Sequence, residues 1–210
     1  MREILLAPLV VLLLVAAHPA AAQPAKPDGN AAATPMVNEQ DRVLGKPDAP
    51  VTIIEYASLT CPHCAHFEVE VLPKLKDKWI DSGKAKLILR DFPLDQAALR
   101  AAMVARCAPP ERYYAVVDGF FRAQSEWVVE SSWQSKLKGV AALLGVKGQQ
   151  FDNCLADKKL EDQVAQSRLT AATTLGVDST PTFFINGKKF QGEPTLEAFD
   201  QALSAAAEKS

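Results

Sequence analysis

The sequence predicts an α/β fold in which an all-helical block interrupts the strand-bearing part of the chain. Three observations carry this. A β-branched apolar run at 51–56 is followed by a helical apolar period and a second apolar run at 85–92. From Leu94 to Leu175 the helical period continues with no strand-like alternation. A strand, a two-residue turn and a second strand then return at 182–190, ahead of a final helix.

The elements can be justified in order. Arg2 precedes an apolar run from Ile4 to Ala17, broken by Pro8, and His18-Pro19-Ala20-Ala21-Ala22 supplies small residues for cleavage. The run is shorter than the roughly 20 residues that cross a bilayer, so 1–22 is expected to be a secretory signal peptide. Residues 23–40, rich in Ala, Pro, Asn and Gln without apolar period, are expected to form a flexible tether. Order is expected from about Val43. Val51-Thr52-Ile53-Ile54-Glu55-Tyr56 has the apolar continuity of a strand buried on both faces, interrupted only by Glu55. Cys64, Phe67, Val71, Leu75 and Trp79 then mark one face of a helix beginning near Cys61, with Pro73 expected to kink it. Ala85 to Phe92 forms the second strand, completing strand, helix, strand.

The helical block should break at Pro109-Pro110, near Gly145 and near Gly148, and Phe120, Phe121, Trp127 and Trp133 read as its core. Asn186-Gly187 between Thr182-Phe183-Phe184-Ile185 and Lys188-Lys189-Phe190 suits a type I′ hairpin, and Leu196, Phe199 and Leu203 share a face of the last helix. With the block removed the order is βαβ then αββα, that of a thioredoxin fold. The expected organisation is a thioredoxin-fold domain at 41–93 and 159–210 around a helical insertion at 94–158.

Composition narrows function. With 23 Lys and Arg against 25 Asp and Glu, the chain has no field that would draw it to nucleic acid. All four cysteines, Cys61, Cys64, Cys107 and Cys154, follow the signal segment, so an exported chain meets an oxidising compartment where disulfides are expected. Four cysteines allow three pairings.

Cys61-Pro62-His63-Cys64 follows a strand and opens a helix, the context in which C-x-x-C is a redox motif. A sulfur at a helix N-terminus faces unpaired N–H groups and the positive end of the dipole, which favours the thiolate. His63, when protonated, would add a cation, and Pro62 sits where a missing N–H costs nothing. Stabilising the Cys61 thiolate stabilises the reduced pair, so the disulfide becomes an oxidant. Cys64, one turn on and facing inward, is the expected resolving partner. Two other readings are a structural disulfide and a zinc site using His63 and His66. The first closes too short a loop to stabilise much, and the second lacks the distant ligand pair of a tetrahedral site.

The stretches Ile53-Ile54-Glu55-Tyr56-Ala57-Ser58-Leu59-Thr60-Cys61-Pro62-His63-Cys64 and Ser179-Thr180-Pro181-Thr182-Phe183-Phe184-Ile185-Asn186-Gly187 resemble the DsbA-like thiol:disulfide interchange proteins, over about residues 42–206. The resemblance implies Cys61 as nucleophile, Cys64 as partner and His63 as tuning residue. Pro181 would be a cis-proline, presenting the Thr180 backbone to an extended substrate. Glu55 corresponds to a buried acid near the family's active site; strand parity offers Lys86 and Arg90 as its partners. Cys107 and Cys154 depart from the simplest family pattern, although some members carry a second pair in the insertion. A bridge between them would be a structural staple, with a regulatory disulfide as the alternative.

These readings lead to a periplasmic protein dithiol oxidase with no cofactor and no metal, acting on unfolded exported polypeptides with free cysteines. The resemblance adds a membrane, quinone-linked reoxidant of the DsbB type. The alternatives are a disulfide isomerase or reductase, and a non-enzymatic holdase with an apolar groove around the motif.

Overall fold

The computed structural model describes residues 33–129 and 131–209; the expected signal peptide and residues 23–32 of the expected tether lie outside the described residues. Five strands form one sheet in the order β1-β3-β2-β4-β5: β1 (Val43–Leu44), β2 (Val51–Ala57), β3 (Ala85–Asp91), β4 (Thr182–Ile185) and β5 (Lys188–Lys189). β2 and β3 pair in parallel and the other neighbours are antiparallel. At the β4–β5 turn both Asn186 (φ 45°) and Gly187 (φ 79°) are left-handed, as a type I′ hairpin requires. The turn is also tied to the sheet, because Thr52 N–H donates to the Asn186 side-chain oxygen at 2.8 Å.

Helix α1 spans residues 62–80 and covers one face of the sheet. It is α-wound at Pro62–His66 and Leu72–Leu75, and widens into π-turns at Phe67–Val71 and Lys76–Ile80. The expected disturbance at Pro73 takes this form: Pro73 has no N–H to give, and the turn before it closes by Leu72 N–H reaching back five residues to Phe67. Phe67, Leu75 and Ile80 of α1 pack with Phe199 and Leu203 of the last helix, α8 (Leu196–Ala207), against Val51, Ile53, Leu87, Phe183 and Ile185.

The helical insertion comprises α2 (Gln96–Arg106), a 3₁₀ turn at Pro110–Arg112, α3 (Tyr113–Arg122), α4 (Gln124–Trp127), α5 (Trp133–Leu143) and α6 (Gln149–Ala156). Phe120, Phe121, Trp127, Leu137 and Phe151 form its core, with Trp133 half-buried at the margin. Breaks occur at the expected prolines and glycines. A further break follows Trp127, with no Gly or Pro to announce it; there the buried Trp127 indole donates to the Phe120 carbonyl at 2.9 Å and folds α4 back on α3.

Helix α7 (Lys158–Thr174) joins the two parts. Its Val164 lies in the insertion core, whereas Ala171 packs with Ile54, Tyr56, Ile88 and Phe184 on the sheet face opposite α1. Asp95, Asp157 and Thr195 cap α2, α7 and α8 by accepting from Ala98, Leu160 and Ala198 N–H, each cap contributing about 1 kcal/mol.

The expected tether ends earlier than position 40. Pro35 is buried, and the buried Arg90 guanidinium donates both to the Met36 carbonyl and to Asp41, so 35–41 is fixed against the sheet. Arg90 needs partners for its N–H groups away from water, and this segment supplies them.

Cys107 at the end of α2 is bonded to Cys154 of α6 across 47 residues. A loop of that length confines the unfolded chain by about 4 kcal/mol in the chain-entropy model. The Cys107→Ala/Cys154→Ala variant should therefore melt at lower temperature while the thiol–disulfide exchange expected of Cys61 and Cys64 keeps the parent's rate. A folded double variant without activity would show that this bond serves the chemistry.

Candidate active site

The site is built where β2 ends. Ala57 closes the strand, and residues 58–60 turn into α1 through Cys61 N–H donating to the Ser58 carbonyl at 3.0 Å. Cys61 is the N-cap of α1, with extended backbone (φ −79°, ψ 120°), and Pro62 occupies the first helical turn. The turn is held from the insertion: the Thr60 hydroxyl donates to Asp95 at 2.7 Å, and Leu94 N–H donates to the Ser58 hydroxyl.

Cys61 and Cys64 are unbonded and both buried, yet their surroundings oppose each other. A hydrogen bond from Cys64 is the largest influence on the Cys61 thiol. With the Thr180 side chain and the N–H groups of Cys64 and His63 it outweighs burial, and the thiol is brought down to about 5 from an ordinary 9.0. Burial pushes the Cys64 thiol strongly up, and the hydrogen bond to Cys61 adds to this. His63 is exposed, and its backbone N–H is among the groups that lower the Cys61 thiol.

Thr180-Pro181 is a cis peptide, as expected, and lies against the motif, with Cys61 Sγ 3.3 Å from the Thr180 carbonyl oxygen. Beside it a groove of about 410 Å³ is lined by His63, His66, Thr180, Pro181, Phe190 and Pro194 among others.

Glu55 is fully buried, and its expected partners are not its partners. In the β2–β3 register Glu55 lies opposite Leu89, while Lys86 and Arg90 lie opposite Thr52 and Tyr56, on the other face of the sheet. Lys86 donates to the Pro47 carbonyl and Arg90 to Asp41 and Tyr56. Glu55 instead faces Glu68 of α1, itself 3% exposed. Burial, then the charge of Glu68, holds Glu55 well above the usual carboxylate range, and burial pushes Glu68 up to about 8. Two carboxylates in this space would repel with little solvent to screen them, so the pair retains a proton at neutral pH. Sequence reasoning passed over Glu68, although its place four residues after Cys64 on the apolar stripe was a signal.

No group of three or more His, Cys, Asp and Glu among the described residues could hold a metal ion. No described helix is long and apolar enough to cross a membrane.

The family model for thioredoxin matches residues 37–205. The chain belongs to the thioredoxin family. Within it the chain sides with the DsbA-like thiol:disulfide oxidoreductases. The crystal structure of Wolbachia pipientis α-DsbA1 is 35% identical, superposes with a TM-score of 0.77, and is matched over 83% of this chain and 94% of that one. A protein-disulfide isomerase from Novosphingobium aromaticivorans is 25% identical with a TM-score of 0.70, over 80% of this chain and 97% of that one. A curated relative from Rickettsia bellii, provisionally named a protein-disulfide oxidoreductase, is 29% identical over 175 residues, 83% of this chain and 67% of its own. The DsbA-like chain spans 62–67% of the length of this and four other Rickettsia relatives, so those proteins carry further sequence.

Two measurements check this geometry. Thiolate ultraviolet absorbance of the reduced protein should titrate with a midpoint near 5 for Cys61. A midpoint at about 8 or above, near that of a free cysteine, contradicts it. The second concerns Glu68, whose native value of about 8 lies above its ordinary 4.5. Between these values the unfolded chain binds fewer protons than the native one, so this group's contribution favours folding below about 4.5 and is lost as pH rises through 8. In the oxidised protein Glu68→Gln should accordingly gain stability relative to the parent as pH rises across that window. A difference that does not change with pH would place Glu68 in solvent.

Proposed function

We propose that the protein is a periplasmic dithiol oxidase that introduces disulfides into unfolded exported polypeptides. The observation that carries this reading is the opposition between the two sulfurs: an acidified Cys61 above a Cys64 thiol pushed strongly up. Reduction of such a disulfide yields a stable Cys61 thiolate, which favours the reduced pair and makes the disulfide an oxidant of substrate thiols.

In this reading the Cys61–Cys64 disulfide is the oxidised form. A substrate thiolate attacks Cys61 Sγ, forming the mixed disulfide, and Cys64 leaves as a thiolate that takes up a proton. A second substrate thiolate then attacks the substrate sulfur of the mixed disulfide and releases the Cys61 thiolate. The substrate loses two electrons and the Cys61/Cys64 pair gains them. Thr180-Pro181 serves as the edge along which the substrate lies, with its sulfur beside Cys61. Glu55 lies close enough to Cys64 for its carboxylate to raise that thiol, and the Glu55–Glu68 pair retains a proton, which suits it to supply the proton that Cys64 takes up. A membrane, quinone-linked partner of the DsbB type would remove the two electrons.

A second reading, as isomerase or reductase, is favoured by the name of the Novosphingobium relative. The reduction potential separates them. An oxidase should lie well above the roughly −270 mV of thioredoxin, toward −120 mV, and a value at or below thioredoxin's would reject the oxidase. A third reading, a holdase, would keep its effect on a client in Cys61→Ser.

The order of attack gives the mechanistic test. Cys64→Ala should accumulate mixed disulfides through Cys61 that vanish on reduction, whereas Cys61→Ala should trap almost none. Mass spectrometry that placed the linkage at Cys107 or Cys154, or equal trapping by both variants, would remove Cys61 as nucleophile.

A further inference from the structure

The turn that carries Cys61 is gripped by a side chain that the exchange chemistry does not call on. Gln124 opens α4 in the helical insertion, and its side-chain amide nitrogen donates to two backbone oxygens at once: Leu59 at 2.9 Å and Cys61 at 3.1 Å. The Cys61 oxygen already accepts the first hydrogen bond of α1, from Ala65 N–H at 3.1 Å, so Gln124 occupies its second lone pair. Leu59 and Cys61 are each 5% exposed, so little water reaches these carbonyls to take the amide's place.

The direction of a peptide oxygen is set by the ψ of its own residue. Two oxygens two residues apart, converging on one NH₂ group, therefore fix the backbone dihedrals between them, those of Thr60 and Cys61. The same dihedrals decide where the Cys61 Cα–Cβ bond points, and so which staggered positions its sulfur can take. Gln124 is in turn held firmly. Its own carbonyl accepts from Val128 N–H, and three residues on Trp127 is fully buried, its ring 5.8 Å from that of Phe120.

We propose that Gln124 is a positioning residue for thiol–disulfide exchange: from the first turn of α4 in the insertion it fixes the two peptide planes that aim the Cys61 sulfur at the N-terminus of α1. The inference rests on Cys61 being the nucleophile. It assigns the helical insertion a part in the reaction beyond covering the site, because the insertion delivers the amide that sets the sulfur's direction.

Gln124→Met keeps the length of the side chain and loses both donors. Gln124→Glu keeps the shape and turns acceptors toward two carbonyls. Both are compared with the parent by thiolate absorbance against pH and by the rate at which the oxidised protein closes a disulfide in a two-cysteine peptide. The Cys61 midpoint should rise by about half a pH unit in the Met variant, a roughly threefold loss of thiolate at a given pH near the midpoint, and by more in the Glu variant. The peptide rate should fall at least as far. If Gln124→Met does not fold, Gln124→Asn, whose amide is one methylene too short to reach both oxygens, is read in the same two assays. A lower melting temperature with the parent's midpoint and rate would overturn the proposal and leave Gln124 a packing contact. Failure of the nucleophile reading is seen separately, in the parent's own titration and in the Cys64→Ala trapping.

Discussion

Everything at this site depends on two sulfurs, one helical turn apart, being held in opposite environments. Cys61 sits at the mouth of α1, where N–H groups have no helical partner and Cys64 can donate to it. Cys64 faces the core shared by the sheet and the insertion, where an anion has no solvent to stabilise it. The contrast exists because α1 begins at the surface end of β2 and immediately packs down onto the sheet.

Beneath the sulfurs the sheet adds a second constraint. Alternation along β2 sends Ile54 and Tyr56 to α7, and Val51 and Ile53 to α1 and α8, so Glu55 has no choice but the α1 side. There it meets Glu68 and no cation. A carboxyl pair close to Cys64 that retains a proton at neutral pH is a proton store beside the inner sulfur. Lys86 and Arg90 lie on the other face. Arg90 fastens the segment before β1, and Arg106 binds Asp91, which ties the end of α2 to the end of β3.

The insertion completes the arrangement from above. Asp95, which caps α2, also takes the Thr60 hydroxyl, and Gln124 takes the carbonyls on either side of Thr60. One bond between Cys107 and Cys154 closes the helices that present these groups. The insertion thus reaches the turn that carries Cys61 through two side chains.

The sequence by itself determined the fold and the chemistry of the motif. Val51-Thr52-Ile53-Ile54, the stripe through Phe67, Val71 and Leu75, and Asn186-Gly187 act through periods of 2 and 3.6 residues and local turn geometry, all encoded within a few positions. Cys61-Pro62-His63-Cys64 was legible because its spacing and its strand-to-helix context lie within one short stretch. What only the tertiary structure decided are the pairings made across the chain. Glu55 with Glu68 needed the β2–β3 register, which excludes Lys86 and Arg90; strand parity without register cannot say which face a residue on the next strand shares. Gln124 against Leu59 and Cys61, 65 and 63 residues away, needed the break after Trp127, which no glycine or proline marks. The anchoring of 35–41 needed Arg90 to be buried and short of acceptors. Each is a hydrogen bond or a repulsion between polar groups brought together by apolar packing elsewhere, and a polar group's partner is set by where the core places it, not by its neighbours in sequence.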